Sequence, residues 1–436
     1  MTDMSVPAAP ASRHTGPEAR LRLEKRYASE RRFERYGMAA LSFAIAALFL
    51  LLWTILSNGA TAFFQTHIRL EVHFDPATID PDGKRDPAAF RQANWAAVAR
   101  AALQEKFPEV RGRLPLRQLD ALLSDGAQIE LLRMVSADPG LLGQRREVWL
   151  LTSSDVDMIQ KGHSARDVPE ASRRVNDAQL SWLDRLAAEG RLEKRFNTRF
   201  FTAADSRQPE LVGVWGGVVG SFLTLGMTLL LAFPMGVAAA IYLEEYAPKN
   251  RFTDLIEVNI NNLAAVPSIV YGLLGLAVFL QFFGMPRSAP IVGGVVLALM
   301  SLPIIIIASR AALRSVPPSI REAALGIGAS KMQAIFHHIL PLAMPGIMTG
   351  TIIALAHALG ETAPLLMIGM VAFVVDIPAG PLSPSTVLPV QIFMWADNPE
   401  RGFVEKTSAA IMTLLVFLLL MNAAAIWLRK KFERRW

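Results

Sequence analysis

Residues Ser319–Gly346 read "SIREAALGIGASKMQAIFHHILPLAMPG", a water-seeking, helix-forming stretch between two runs apolar enough to cross a membrane. Pro317 and Pro318 break the incoming helix, Ser319 is placed to cap a new one, and Glu322 falls in its first turn, where the helix dipole favours negative charge. Ala323, Ala324 and Leu325 are strong helix formers, whereas Gly326 and Gly328 weaken the helix. Ser330 then starts a second helix carrying Met332, Ile335, Phe336 and Ile339 at helical spacing, and Pro341 is expected to end it. The product is an elbow with small residues at its bend, shaped for another surface to grip. The alternative reading is an amphipathic loop lying on lipid headgroups.

The setting of the elbow follows from composition. Of 436 residues 52% are apolar and 19% charged, and the apolar ones are bunched into long runs, so this is a multi-span membrane protein. The chain has no cysteine, which excludes disulfides, thiolate metal sites and thiol nucleophiles. Its 44 basic residues against 38 acidic ones are concentrated beside the apolar runs, an orientation signal and not a nucleic-acid footprint. No glycine-rich loop ending in Gly-Lys-Ser/Thr occurs, so any ATP consumed is hydrolysed by another chain and no cofactor is expected to bind here directly.

The first apolar run, 38–57, "MAALSFAIAALFLLLWTILS", follows a basic arm at 1–37. Its length, about twice a signal-peptide core, marks a retained anchor. Five further spans are expected near Val214–Leu243, Leu263–Phe283, Ile291–Ala312, Pro345–Phe373 and Ala409–Leu428. Six spans place both termini on one side. The segments "EEYAPKNR" (244–251), the loop 313–342 and "RKKFERRW" (429–436) share that side with the basic arm, which the positive-inside rule makes the cytoplasm.

The polar region 58–210 then lies outside the cytoplasm. "IRLEVHFD" (68–75) and "REVWLLTS" (146–153) alternate as half-buried strands. Asp86 and Pro87 start a helix, and "NDAQLSWLDRLAAEG" ends another at Gly190, so a small α+β domain is expected. His73 and Asp75 lack a third partner, so the expectation is a solvated strand face and no metal.

Glu322, Ala323, Ala324, Gly328, Leu340 and Pro341, with Ser330 between them, resemble the coupling loop of ABC importer permeases, apart from His338 where isoleucine is usual. In that family the loop docks on the ATPase subunit. "NNLAAVPSIVYGLLGL" (261–276) and "AHALGETAPLLMIG" (356–369) resemble inorganic phosphate permeases, the PstA-type subunit more than the PstC-type. The resemblance covers about Leu211–Arg429. It implies six transmembrane helices of the importer type, with a five-helix core at 211–428, whereas the α+β domain inserted after the first helix departs from the compact form of that family. It further implies a PstC-type permease, ATPase subunits, a periplasmic phosphate-binding protein and phosphate as partners, in the inner membrane. The rival readings are a permease for sulfate, molybdate or phosphonate, or a membrane-anchored sensor, which the short tail after the last span disfavours.

Within the spans, Pro267 and Pro364 each remove a backbone hydrogen bond, and Ser268 and Thr362 are placed to re-satisfy the freed groups along an anion path. Glu361 is an intramembrane carboxylate, and its sign opposes an anion. Two like unit charges 4 Å apart repel by about 4 kcal/mol at an effective dielectric of 20. It therefore needs a partner or a proton, and His357, one turn earlier, and Arg310 are the cations available. In the phosphate permeases that this stretch resembles, arginine is common where His357 stands.

Overall fold

A computed structural model describes residues 17–81, 83, 85–370 and 373–432. Parts of the basic arm and tail, residues 1–16 and 433–436, lie outside the described residues. The chain divides into two units, 1–57 and 58–436. The first is a helix, Pro17–Gly59 as a whole element, in which the basic arm and the apolar run are continuous. Its Lys, Arg, Glu, Leu and Ala residues are all good helix formers.

In the second unit, β1 (Phe64–His73), β2 (Arg145–Leu151) and β3 (Leu192–Phe196) form an antiparallel sheet in the order β2-β1-β3. Leu70 pairs with Val148 and Ile68 with Leu192. Ile68, Leu70, Val72 and Phe74 alternate into a core with Phe90, Leu103 and Leu131. β3 was not expected from "LEKRF", because it is a mostly exposed edge with no apolar alternation. The helix expected from Asp86 is interrupted: Asp86 caps Pro87–Gln92, and Asn94 caps a second helix, Trp95–Lys106. Asn176 closes a capping box with Gln179 at the start of Asp177–Ala188. Asp75 is spent capping Pro76–Ile79, and no metal-ligating cluster occurs among the described residues.

Five helices are long and apolar enough to cross a membrane, or six if one bent pair counts as a span. Trp215–Ile241 runs into a wide π-turn, Tyr242–Tyr246. The third expected span is a bent pair, Arg251–Ala264 and Ser268–Phe282, meeting at 102°. Pro290–Arg314 matches its expected span. The fifth is displaced: the helix runs from Lys331 to Gly360 and stops before Glu361. Pro341 therefore does not end the elbow. It stands in the first turn after the π-turn Ile335–Ile339, where the backbone ladder is already widened and a missing N–H is tolerated. Pro364 is not inside a span either, but in the first turn of a separate short helix, Ala363–Met367. The last helix, Gly402–Phe432, starts earlier than expected, and a further buried helix, Leu388–Ala396, precedes it.

The inserted region is joined to this last helix through buried charge. Lys161 bridges Asp157 at 2.6 Å and Glu405 at 2.8 Å, and Lys406 meets Glu405 at 2.9 Å, all four side chains being at most 5% exposed. Asp157 accepts from the backbone N–H and hydroxyl of Thr66, while Thr61 donates to Glu405. Charges this deep persist only when paired and hydrogen-bonded. A Cβ on Gly402 would fall 2.7 Å from Cβ of Pro209, so glycine is required for this approach. Lys406→Met leaves two carboxylates facing one ammonium. It is expected to cost about 3–5 kcal/mol, read as a lower melting temperature of the detergent-solubilised protein; an unchanged melting temperature would show that the cluster contributes nothing.

Candidate coupling elbow and broken-helix site

At the elbow, the helix Pro318–Gly326 starts from Pro317, not Ser319, because the Pro317–Pro318 pair already supplies the extended cap and first-turn geometry. Glu322 consequently lies one position past the first turn. Gly328 has φ +89°, a left-handed conformation that reverses the chain at no steric cost only for glycine. Ser330 then caps Lys331–Ala334 in a capping box with Gln333, as the spacing predicted. Ala324, Ala334, Ile335 and Ile339 are buried, the two isoleucines against a core that includes Ala240 and Leu313.

Ion pairs fasten the elbow to the Trp215 helix. Arg314 grips both oxygens of Glu244 at 2.9 and 2.8 Å, Arg321 bonds Glu245, and Lys331 stands 4.8 Å over the Tyr246 ring. What stays outside is Glu322, Ala323, Gly328 and three apolar side chains, Leu325, Ile327 (83% exposed) and Met332. Leu340 and Pro341 are half-buried in the first turn of the continuing helix. Met332 and Phe336, expected on the same face as Ile335 and Ile339, instead wall an apolar hollow with Phe233 and Tyr246. The π-turn splits their helical register.

The second site is made by the two breaks. Pro267 opens the bent pair, and Tyr271, not Ser268, compensates: its hydroxyl donates to the Leu263 carbonyl at 2.8 Å. Among the described residues, neither Ser268 nor Thr362 makes a side-chain hydrogen bond. The other break lies at Glu361 and Thr362, between Gly360 and Ala363. These breaks are packed together. A Cβ on Gly272 would lie 2.7 Å from the Pro364 Cα and 2.9 Å from the Met367 Cβ, and Gly275 meets Val296 and Ile368 as closely.

Glu361 is half-buried and faces His357, Nε2 to Oε1 3.3 Å. Arg310 is not its partner. It bonds Glu257 and lies 3.5 Å from Glu244, near the elbow end of its helix. The sequence placed Arg310 by its position in an apolar run; Glu257 lies in a helix that the sequence reading had left outside the spans. One unbroken run, Lys331–Gly360, connects the elbow to His357. At 1.5 Å per residue its 30 residues make a rod about 45 Å long.

Residues 232–436 match the family described as binding-protein-dependent transport system inner membrane component, and 20–170 match a domain of unknown function (DUF3333). The chain is 31% identical to phosphate transport system permease protein PstA 1 of Mycobacterium tuberculosis (strain CDC 1551 / Oshkosh) over 51% of this chain and 72% of that protein. The chain belongs to the PstA-type ABC permeases. It is also 31% identical to the probable ABC transporter permease protein YqgI of Bacillus subtilis (strain 168), over 53% and 82% of the two chains. Among solved structures, an inward-facing MetNI methionine ABC transporter chain is 20% identical, covering 51% of this chain and 98% of that one with a TM-score of 0.41.

This permease is thus a multi-pass inner-membrane subunit of an ABC importer, a transporter component and not an enzyme. Its two family-like stretches are the ones that pack across Gly272. Gly272→Val sets new methyl groups against the Pro364 backbone, which cannot give way as a flexible side chain would. An overpacking cost of about 1–3 kcal/mol is expected, measured as a lower melting temperature in detergent; wild-type stability would show that the two breaks are not interlocked.

Proposed function

We propose that this permease forms half of the path for ATP-driven import of inorganic phosphate, with a PstC-type permease as the other half. ATPase subunits on the cytoplasmic side grip the elbow, and a periplasmic phosphate-binding protein delivers the anion from the opposite side. Both termini are then cytoplasmic and the inserted region is extracytoplasmic. The observation that carries the reading is the single rod from elbow to His357. A push on Glu322, Ala323 and Ile327 passes through the Gly328 turn into the Lys331–Gly360 run, whose start Ile335 and Ile339 hold in the core and whose far end carries the His357–Glu361 pair. Phosphate is supported by the phosphate-transport relative reported above.

In this mechanism Glu322, Ala323, Ala324, Gly328, Ser330, Leu340 and Pro341 form or support the ATPase contact. Pro267, Ser268, His357, Glu361 and Thr362 belong to the path. Arg310, fastened to Glu257, positions the bent pair from the elbow end. The Glu361 charge, inadmissible alone beside an anion, lies against His357, which offsets it when the imidazole is protonated.

Three outcomes test the proposal. In the assembled complex, uptake of labelled phosphate is expected to be competed by phosphate and not by sulfate, molybdate or phosphonate; the reverse order would assign another oxyanion. Glu322→Lys and Gly328→Val are both on the exposed elbow. Glu322→Lys is expected to leave the protein inserted and stable while abolishing ATP-driven uptake, and Gly328→Val to abolish uptake by straining the left-handed turn; normal uptake in either would remove the elbow from coupling. Glu361→Gln keeps the shape and loses the charge, so uptake is expected to fall strongly with assembly intact. A wild-type rate in that variant would show that the pair does not govern the path.

A further inference from the structure

A recess of about 250 Å³ lies in the inserted region, between β1, the helix Gly126–Ala137 and the short helix Thr198–Thr202. Its walls bring together Glu130, Arg133 and Arg199, with Arg195 near enough to act on the same carboxyl group. Among the described residues, none of the Glu130, Arg133 and Arg199 side chains makes a hydrogen bond or ion pair. That is unusual here. Elsewhere in the same region Arg145 holds Glu105, Arg185 holds Glu109 and Arg166 holds Asp184.

The recess therefore brings two guanidiniums, Arg133 and Arg199, to one carboxylate with no ion pair among them, while Arg195, outside the lining, lies over the Trp149 ring. Burial pushes Arg199 below the ordinary guanidinium range, and the Arg133 charge pushes it further. Burial likewise raises the Glu130 carboxyl above the usual carboxylate range, although Arg195, Arg133 and Arg199 all pull it down. Arg133 is exposed and Arg199 half-buried, so an anion entering the recess meets one solvated and one partly desolvated cation, and its charge favours both.

We propose that this recess binds one small oxyanion that carries a proton, hydrogen phosphate, with Arg133 and Arg199 donating to its oxygens and Glu130 accepting from its P–OH. The carboxylate is the selecting element. Sulfate is fully ionised and has no proton to give Glu130, so its oxygens meet carboxylate lone pairs at close range. The recess has room for such an anion with a few waters.

The floor of the recess is also the anchor of the Trp215 helix. Just past Arg199, Phe200 and Ala203 accept from the backbone N–H groups of Val214 and Trp215 at 2.8 and 3.0 Å, and Ala204 accepts from Gly213. Occupancy of the recess would thus order the segment from which that helix starts. This site is separate from the transmembrane path and does not depend on phosphate being the cargo.

The test uses the full chain in detergent or nanodiscs, titrated with potassium phosphate and, separately, potassium sulfate. Hydrogen exchange locates the binding and calorimetry measures it. Phosphate is expected to slow exchange in 126–137 and 196–203, and Arg133→Gln or Arg199→Gln to weaken binding by about tenfold or more each, as expected for a lost charge-assisted contact. Glu130→Gln is expected to bring sulfate affinity up towards that of phosphate. No change in exchange in either segment at millimolar phosphate would overturn the site, and that arm needs no variant to fold. Unchanged calorimetry in both arginine variants would overturn it too, and equal binding of sulfate by the wild type would remove Glu130 from selection.

Discussion

Inside hydrocarbon a backbone N–H or C=O without a partner costs several kcal/mol, and this chain breaks two of its apolar helices, at Pro267 and at Glu361–Thr362. The breaks are affordable because each is covered by protein. The Leu263 carbonyl accepts from both the Val266 N–H and the Tyr271 hydroxyl, the Thr362 carbonyl accepts from both Leu365 and Leu366, and Gly272 lets the first break lie directly on the backbone of the second. Each break thus shields the other. The packing around them follows: Tyr271, Val296, Leu359, Leu365 and Ile368 share one cluster that closes over both.

Charge is distributed according to the same constraint. The Lys331–Gly360 run carries His357 near its end, paired with Glu361 just beyond it, and other pairs gather at the elbow and at the joint with the inserted region. At the elbow, Arg314–Glu244, Arg321–Glu245 and Arg310–Glu257 tie four helices together. At the opposite joint, Asp157, Lys161, Glu405 and Lys406 form a closed, charge-balanced group buried almost completely. Buried pairs of this kind are weak evidence for stability but strong determinants of geometry, because any other arrangement strands a charge. Glu210 belongs to the same joint. It accepts from Ser124, and burial raises its carboxyl above the usual range.

The inserted region is bound to the membrane helices by more than its covalent ends. Its helix Ser154–Gln160 supplies Asp157, and Gln65 of β1 donates to the Glu210 carbonyl just before the Trp215 helix. Trp395, in the unexpected helix before the last span, donates to Asp205. Movement of the region therefore loads the Trp215 and Gly402 helices together.

Much of this was legible from local rules. Apolar runs of some 20 residues announce spans because hydrocarbon admits little else, the elbow follows from Pro317, Gly328 and Ser330 because proline, positive φ and capping are properties of single residues, and the β1 alternation reads directly as one buried face. The failures were of another kind. Pro341 looked like a stop and proved to be a passage, because a π-turn ending two residues earlier changes what a proline costs, and π-turns have no sequence signature as short as a cap. Lys406 and Glu405 carry no local signal of their pairing, since nothing within a few residues of them reveals Lys161, some 240 positions earlier. Arg310 and Glu361 were both candidates for one pair, and only the folded chain could separate them, because ion pairing depends on a distance of a few ångströms that chain order does not encode. Local backbone chemistry is carried by neighbours in the chain; the partners of buried charges and of broken helices are carried by packing.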